Sequence, residues 1–427
     1  MYHFIGIKGS GMSSLAIILK KMGNVVQGSD FEKHYFTEKG LIENNIKILN
    51  FDKENIKEDY IIVKGNMFNE DNIEVKEAIK KNLKIYTYQE IIKELIKKFK
   101  TITVSGCHGK TTTSSLIAHI IDANYLIGDG RGEYNKSKYF ILEACEYKRH
   151  FLNYTSNIAV ITNIDLDHVD YYKDIDDVKN AYQEFIKEAN IVLINGDDNN
   201  SKELIHEKKY YYGLNENNYF KAKNILYSKE GISFDYYVDN NYIFKFNLPF
   251  YGKHMLLNSL AAISVCYLEG MNIKNINEKV KKFEGANRRF KETKVKNNII
   301  IDDYAHHPKE IEAVIEATRQ KYSDKNIIGI FEPHTYSITE KFKDEIALKL
   351  QKCDYVYIMD IYPAREKKAD YPNINCEEIL KKIKNSEKLI GEEIKKLLKY
   401  ENAVLLFMSP NDLSELENNY IELYKKK

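Results

Sequence analysis

The sequence predicts an α/β chain built as three successive α/β domains. Three observations lead there. A strand, a glycine turn and a helix follow one another at the start, in YHFIGIKGSGMSSLAIILKKMG. The same succession returns in TITVSGCHGKTTTSSLIAHII. Further on, short apolar runs at 327–331, 355–359 and 404–408 alternate with helical stretches, the pattern of a mostly parallel sheet. A chain of 427 residues has room for two or three domains, each with its own core.

The first domain is expected over residues 1–98. Its opening strand runs into Gly6, Gly9 and Gly11, and Gly9 and Gly11 let the backbone approach a diphosphate where the helix begins. The glycines alone equally fit a nicotinamide dehydrogenase or a plain strand-to-helix turn. A short strand at Val25 and Val26 leads to Ser29 and Asp30. Apolar runs at 60–63 and 84–86 add strands, and a helix over 89–99 marks the boundary.

The second domain is expected over 99–290. Thr101 to Val104 reads as a buried strand, and residues 114–121 carry apolar side chains at helical spacing. Between them, Gly106 and Gly109 turn backbone N–H groups inward beside the positive end of the new helix. That is a polyphosphate cradle, in which Lys110 meets the β- and γ-phosphates and the Thr111 hydroxyl binds Mg²⁺. The general pattern G-x-x-x-x-G-K-[ST] wants glycine where this chain has Val104, so the loop is the shorter G-x-x-G-K-T-T. Two later strand ends supply oxygen and imidazole ligands. ILEACEYKRHF carries Glu143 and Glu146, and AVITNIDLDHVDYY carries Asn163, Asp165, Asp167 and His168. A strand-rich insert is expected at 205–250. The third domain, 291–427, opens with an apolar run at 298–301 that leads into Asp302 and Asp303.

Composition narrows the partners. With 64 basic and 63 acidic residues the net charge is +1, and no nucleic acid is expected. Cysteines 107, 145, 266, 353 and 376 form no CxxC pair, so neither a disulfide framework nor structural zinc is expected, and a reducing cytoplasm fits. No basic leader and no apolar run of membrane-spanning length are present, so neither a signal peptide nor membrane insertion is expected.

In order and spacing, and over nearly the whole chain, YHFIGIKGSGMSSLA, GCHGKTTT, EACEYKRHFL, TNIDLDHVDYY, YGKHMLLNSLAA, GANRRF, IDDYAHHPKEI and FEPHTYS resemble the motifs of the Mur ligases. The resemblance implies a Rossmann-like UDP-binding domain, a central P-loop ATPase domain and a Rossmann-like C-terminal domain for amino acid and nucleotide. It implies an ATP- and Mg²⁺-dependent ligase of peptidoglycan precursor synthesis, monomeric or homodimeric. The implied reaction joins L-alanine to the carboxylate of UDP-N-acetylmuramate through an acyl phosphate. Residue by residue, Gly106, Cys107, His108, Gly109, Lys110, Thr111 and Thr112 match the ATP loop. Asn258 matches an adenine contact, and Arg289, beside Arg288, matches an arginine that reaches ATP from the third domain. Asp303 matches a ribose or nucleotide contact. Thr111, Glu143 and His168 match metal ligands. Gly9, Ser10, Gly11, Met12, Ser29 and Asp30 match contacts to the UDP-sugar. Lys110, Arg289 and His306 are the implied catalytic residues, and His307 lies with His306 where the family handles amino acid and acceptor.

The chemistry of the residues agrees with that implication. A carboxylate is a poor electrophile, and amide formation in water needs it activated. Phosphorylation followed by amine attack asks for a lysine-and-metal clamp, an arginine for developing charge and a pocket for the amine. The chain also departs from the family pattern. Ile338 stands where relatives have an arginine near the substrate carboxylate, which predicts weak acceptor binding unless Arg365 or Lys341 compensates. Ser409, Pro410 and Asn411 replace a glycine and alanine motif, and Met255 replaces an asparagine. Two other readings stay open: a ligase that joins a ready-made peptide to the same sugar nucleotide, and a non-catalytic ATP- or UDP-sugar-binding module.

Overall fold

Five parallel strands make the first sheet: β1 (Tyr2–Ile5), β2 (Val26–Ser29), β3 (Lys47–Leu49), β4 (Ile61–Lys64) and β5 (Ile85–Thr87). They run in the order β3-β2-β1-β4-β5 in this computed structural model, which describes residues 1–35, 37–364 and 366–427. The order reverses at β1, and the crevice beyond its C-terminal end is where such sheets take ligands. The helix that follows, Ser10–Lys21, starts at that crevice and buries Leu15, Ala16, Ile18 and Leu19. The helix expected over 89–99 begins at Tyr88, because Thr87 and Glu90 form a reciprocal capping box, and it ends at Ile96.

The second series comprises β6 (Lys100–Ser105), β7 (Asn124–Ile127), β8 (Arg131–Glu133), β9 (Tyr139–Glu143), β10 (Ile158–Ile161), β11 (Ile191–Asn195) and β12 (Lys209–Gly213), in the order β12-β11-β10-β6-β9-β7-β8. Only β8 runs antiparallel to its neighbour in this series. The interior strands are buried on both faces, as parallel strands flanked by helices must be, so they read as continuous apolar runs. The expected insert is present as β13 (Phe220–Ser228), β14 (Gly231–Val238) and β15 (Asn241–Leu248).

The last sheet holds β16 (Lys291–Val295), β17 (Asn298–Asp303), β18 (Asn326–Phe331), β19 (Tyr355–Ile358), β20 (Ser386–Lys388) and β21 (Ala403–Met408), in the order β16-β17-β21-β18-β19-β20. It is parallel except for β16, which folds back on β17 through the two residues Lys296 and Asn297. Lys296 takes φ +51°, as such a tight hairpin requires.

Residues fall into two compact units. One contains Met1–Lys221, Val238–Asn240 and Ser259–Phe283, so the first sheet and the strands β6 to β12 share a unit. The other contains Ala222–Tyr237, Asn241–Asn258 and Glu284–Lys427. No helix among the described residues is long and apolar enough to cross a membrane.

Candidate functional site

In the first unit, β6 lies between β9 and β10, with Val104 opposite Glu143 and Ser105 opposite Ile161. That register brings three motif-bearing strand ends side by side. The loop leaving β6 is tethered on the β10 side. Thr162 Oγ1 and Asn163 Nδ2 donate to the His108 carbonyl at 2.6 and 2.8 Å, and the His108 amide donates to Asn163 Oδ1 at 2.9 Å. Cys107 Sγ donates to the Asp165 carbonyl at 3.1 Å. Cys107 and His108 therefore fix the loop's shape, and Gly109, at φ +82°, turns it into the helix Lys110–Ile121. Thr112 is buried in the first turn of that helix.

Lys110 folds back over its own loop. Its Nζ donates to the carbonyls of Gly106 at 2.6 Å and Cys107 at 3.3 Å, and to Glu146 Oε1 at 3.0 Å. Glu146 is 1% exposed. Burial opposes a charge on Lys110, but the Glu146 carboxylate outweighs it and holds the ammonium above its ordinary pKa. His168 Nε2 lies 3.6 Å from Glu146 Oε1. Burial works against its charge too, yet hydrogen bonds with Cys145 and Glu146 and the charge of Asp167 lift it to about 10.

Thr111 Oγ1 donates to both Glu143 oxygens, at 3.2 and 3.1 Å, and the Gly128 amide donates to Glu143 Oε2 at 2.8 Å. Burial raises the Glu143 pKa, so a cation would relieve a charge held in a dry place. The ligands expected from the sequence thus divide. Thr111 joins Glu143, whereas His168 groups with Glu146 and Asp167, their donor atoms all within 4.8 Å of one another. These oxygen and imidazole donors suit Mg²⁺ beside a polyphosphate.

At the end of β1, Gly9 caps the helix in an extended conformation, and the first-turn amides of Ser10, Gly11 and Met12 precede any helical acceptor. Both Asp30 oxygens are committed, to the amides of Lys8 at 2.7 Å and Phe31 at 2.8 Å. Two residues expected at the sugar contact have buried side chains. Ser29 is fully buried and its hydroxyl donates to Glu74, and the Met12 side chain is buried as well, so both side chains face the core behind the turn.

The second unit carries its own cluster. Both Asp303 oxygens accept backbone amides, from Phe290 at 2.8 Å and Ala305 at 2.9 Å. Burial raises its pKa to about 6, against the pull of Arg289. Arg289 lies over the Tyr304 ring at 4.8 Å, with Nη1 3.7 Å from Glu310. His306 Nδ1 is 3.2 Å from the same carboxylate, and His307 caps the helix Pro308–Lys321. Asn258 is buried on the helix Lys253–Leu268, and its side chain makes no hydrogen bond among the described residues.

Two of the three departures from the family pattern have a local account, and nothing in the structure explains Met255. Arg288 pairs with Asp302 at 3.2 Å and donates to the carbonyls of Ser409 at 2.8 Å and Pro410 at 3.2 Å, so the altered loop is held through its carbonyls. The Asn411 amide donates to Ser409 Oγ at 2.9 Å. Ile338 is 9% exposed, so its side chain is packed away rather than presented to a ligand. Lys341 is exposed, and Arg365 lies outside the described residues.

Three neighbours went unread in the sequence. Glu310 gathers Arg289 and His306, yet in sequence it is only an acid in the first turn of a helix. His254 is lowered to about 4 by burial and by the Arg289 charge, with Nδ1 buried and unbonded. The turn between β7 and β8 was signalled only by the glycines of IGDGRGE.

Comparison with known proteins follows the same three-part division. The Mur ligase family profile for the catalytic domain matches residues 1–100, the Mur ligase middle domain 104–266, and the Mur ligase glutamate ligase domain 288–410. Among solved structures, a UDP-N-acetylmuramate-alanine ligase from Thermotoga maritima is similar with TM-score 0.83 at 23% identity, over 100% of this chain and 99% of that one. A murein peptide ligase from Psychrobacter arcticus is similar with TM-score 0.71 at 19% identity, over 100% and 99%. A pseudomurein peptide ligase type C from Methanothermus fervidus gives 0.68 at 20%, over 100% of both chains. At these identities the structures attest the fold.

Proposed function

This chain belongs to the Mur ligase family of ATP-dependent ligases in peptidoglycan synthesis, and from that premise we propose that it joins L-alanine to the carboxylate of UDP-N-acetylmuramate. One observation carries the reading. A phosphate loop with its lysine, hydroxyl and carboxylate, and a glycine-turn helix start suited to a sugar-nucleotide diphosphate, belong to a single compact unit. We assign 1–98 to the UDP-sugar, 99–290 to ATP and 291–427 to the amino acid and nucleotide.

In this reading Lys110 leaves Glu146 for the β- and γ-phosphates, and Gly106 to Thr112 wrap them with backbone amides. Thr111 and Glu143 would hold Mg²⁺, with His168 available from the neighbouring group of Glu146 and Asp167, and the ion would supply neutralisation of phosphate charge. An acceptor carboxylate oxygen attacks the γ-phosphorus and ADP leaves. The amine of L-alanine then attacks the acyl carbon, a proton leaves the nitrogen, and phosphate departs. Arg289 supports the developing charge, His306 orients the amino acid, and Asn258 and Asp303 recognise the nucleotide. Asp303 does so by holding the backbone at 290 and 305, whose amides its two oxygens accept.

Phosphate release tests the proposal, measured with ATP, Mg²⁺ and UDP-N-acetylmuramate against L-alanine, glycine, L-serine and a tripeptide. L-Alanine should give the highest kcat/KM. A clear preference for the tripeptide would move the assignment to peptide joining, and no turnover with any amine would reject a ligase. In the same assay Glu143→Ala should raise the Mg²⁺ half-saturation by about tenfold or more, and His168→Ala should raise it in the same direction. Unchanged half-saturation in both variants would return these residues to a structural role.

A further inference from the structure

We propose that Arg131 is a specificity-determining residue that binds the carboxylate of the acceptor, an inference that rests on the UDP-N-acetylmuramate reading above. The turn from β7 to β8 runs Gly128, Asp129, Gly130, and Arg131 opens β8 opposite Ile127. One end of this turn touches the metal carboxylate, since the Gly128 amide donates to Glu143 Oε2 at 2.8 Å. The other end lies against the helix that begins at the N-terminal glycine turn. A Cβ on Gly132 would stand 2.7 Å from the Ser14 carbonyl oxygen, so only glycine permits that approach. The segment therefore spans from the phosphate site to the helix whose first turn suits the diphosphate.

An acceptor held at both places must lie along that span. Its diphosphate belongs at the helix start, and its carboxylate must come within reach of the γ-phosphate. Arg131 is the cation of this turn, and its guanidinium is oriented before any ligand arrives. Nε donates to Asp129 Oδ2 at 2.7 Å, and Nη2 donates to Ser115 Oγ at 2.7 Å on the phosphate-loop helix while lying 2.6 Å from Asp129. Nη1 has no partner among the described residues, and the side chain is 35% exposed. A guanidinium fixed along one edge and open along the other is suited to a carboxylate. Tyr88 stands beside the same span. Its hydroxyl would be 2.7 Å from a Cβ on Gly11, and the Glu143 charge helps burial to raise its pKa.

Calorimetry with two sugar nucleotides tests the assignment, because UDP-N-acetylglucosamine lacks the carboxylate that UDP-N-acetylmuramate carries. The wild-type protein should bind the muramate about 10- to 100-fold more tightly than the glucosamine compound, as a charge-assisted contact provides. Arg131→Ala should erase that difference, leave the glucosamine affinity within about twofold and spare ATP affinity. Arg131→Lys, which keeps the charge and loses the fork, should fall between. Equal weakening of both sugar nucleotides, in Ala and Lys variants alike, would place Arg131 on the diphosphate or in the turn's scaffold and overturn the proposal. Unchanged muramate affinity would overturn it too. Failure of the wild-type protein to bind UDP-N-acetylmuramate would instead reject the acceptor reading itself.

Discussion

Lys110→Ala is expected to abolish ATP turnover, lowering kcat by at least about 10²–10³-fold, while UDP-sugar affinity stays within experimental scatter. In the proposed reaction the ammonium is the charge that the loop supplies to the transferring phosphoryl group. Its present partners, the carbonyls of Gly106 and Cys107 and the Glu146 carboxylate, all hold it over the loop. The amides at Gly9 to Met12, proposed for the UDP-sugar, open the helix that follows β1 in the first sheet. The substitution should also cost stability. Glu146 is 1% exposed, and removing one member of a buried ion pair typically costs about 3–5 kcal/mol. His168, 3.6 Å away, remains to offset part of that. A double variant separates the two effects, since Glu146→Gln in the Lys110→Ala background removes the stranded charge. Its melting temperature should recover while its phosphate release stays lost. Near-normal release from Lys110→Ala would sink the ATP site.

Much of this arrangement was legible in the sequence because it depends on local rules. Glycines before a lysine and a hydroxyl, between a β-branched run and a helical one, specify a strand, a turn and a helix wherever they occur. Glu143 and His168 were legible as polar residues at the ends of apolar strands, since the chemistry of parallel sheets collects there. Their division into two groups was not. It follows from Val104 pairing with Glu143 and Ser105 with Ile161, and register between strands distant in sequence is not a property of either strand alone. The burial of Ser29 was not legible either. At the end of a strand a serine looks like a ligand contact, and only the packing of Glu74 from a helix far along the chain turns it inward. Arg131 carries no sequence signal beyond a charge in a glycine turn, and its place follows from Gly128 and Gly132 touching two different elements.

Gly106→Ala should be nearly as damaging as loss of the lysine, although it deletes no functional group. Gly106 has φ +143°, where a side chain is strained in any surroundings. A methyl there would stand 1.9 Å from Thr162 Oγ1, 3.0 Å from the Asn163 amide nitrogen and 3.1 Å from its carbonyl oxygen. Neither neighbour can retreat without cost. Thr162 Oγ1 holds the His108 carbonyl at 2.6 Å, and the Asn163 carbonyl accepts the Cys107 amide at 3.3 Å, so any movement that admits the methyl releases the loop's tethers. Strained backbone of this kind costs roughly 1–3 kcal/mol before the clash is counted. The variant should melt several degrees lower and show no measurable ATP binding by calorimetry. Gly23→Ala is the control, because φ there is +91° with nothing within 4 Å of the added carbon. It carries the backbone strain without the clash, roughly 1–3 kcal/mol, and should leave turnover intact. Adding Thr162→Ala to Gly106→Ala should recover part of the melting temperature by removing the 1.9 Å contact. It should not recover ATP affinity, because the same hydroxyl was holding the loop. ATP binding at wild-type strength by either Gly106 variant would show that the loop does not need its tethered shape to grip phosphate.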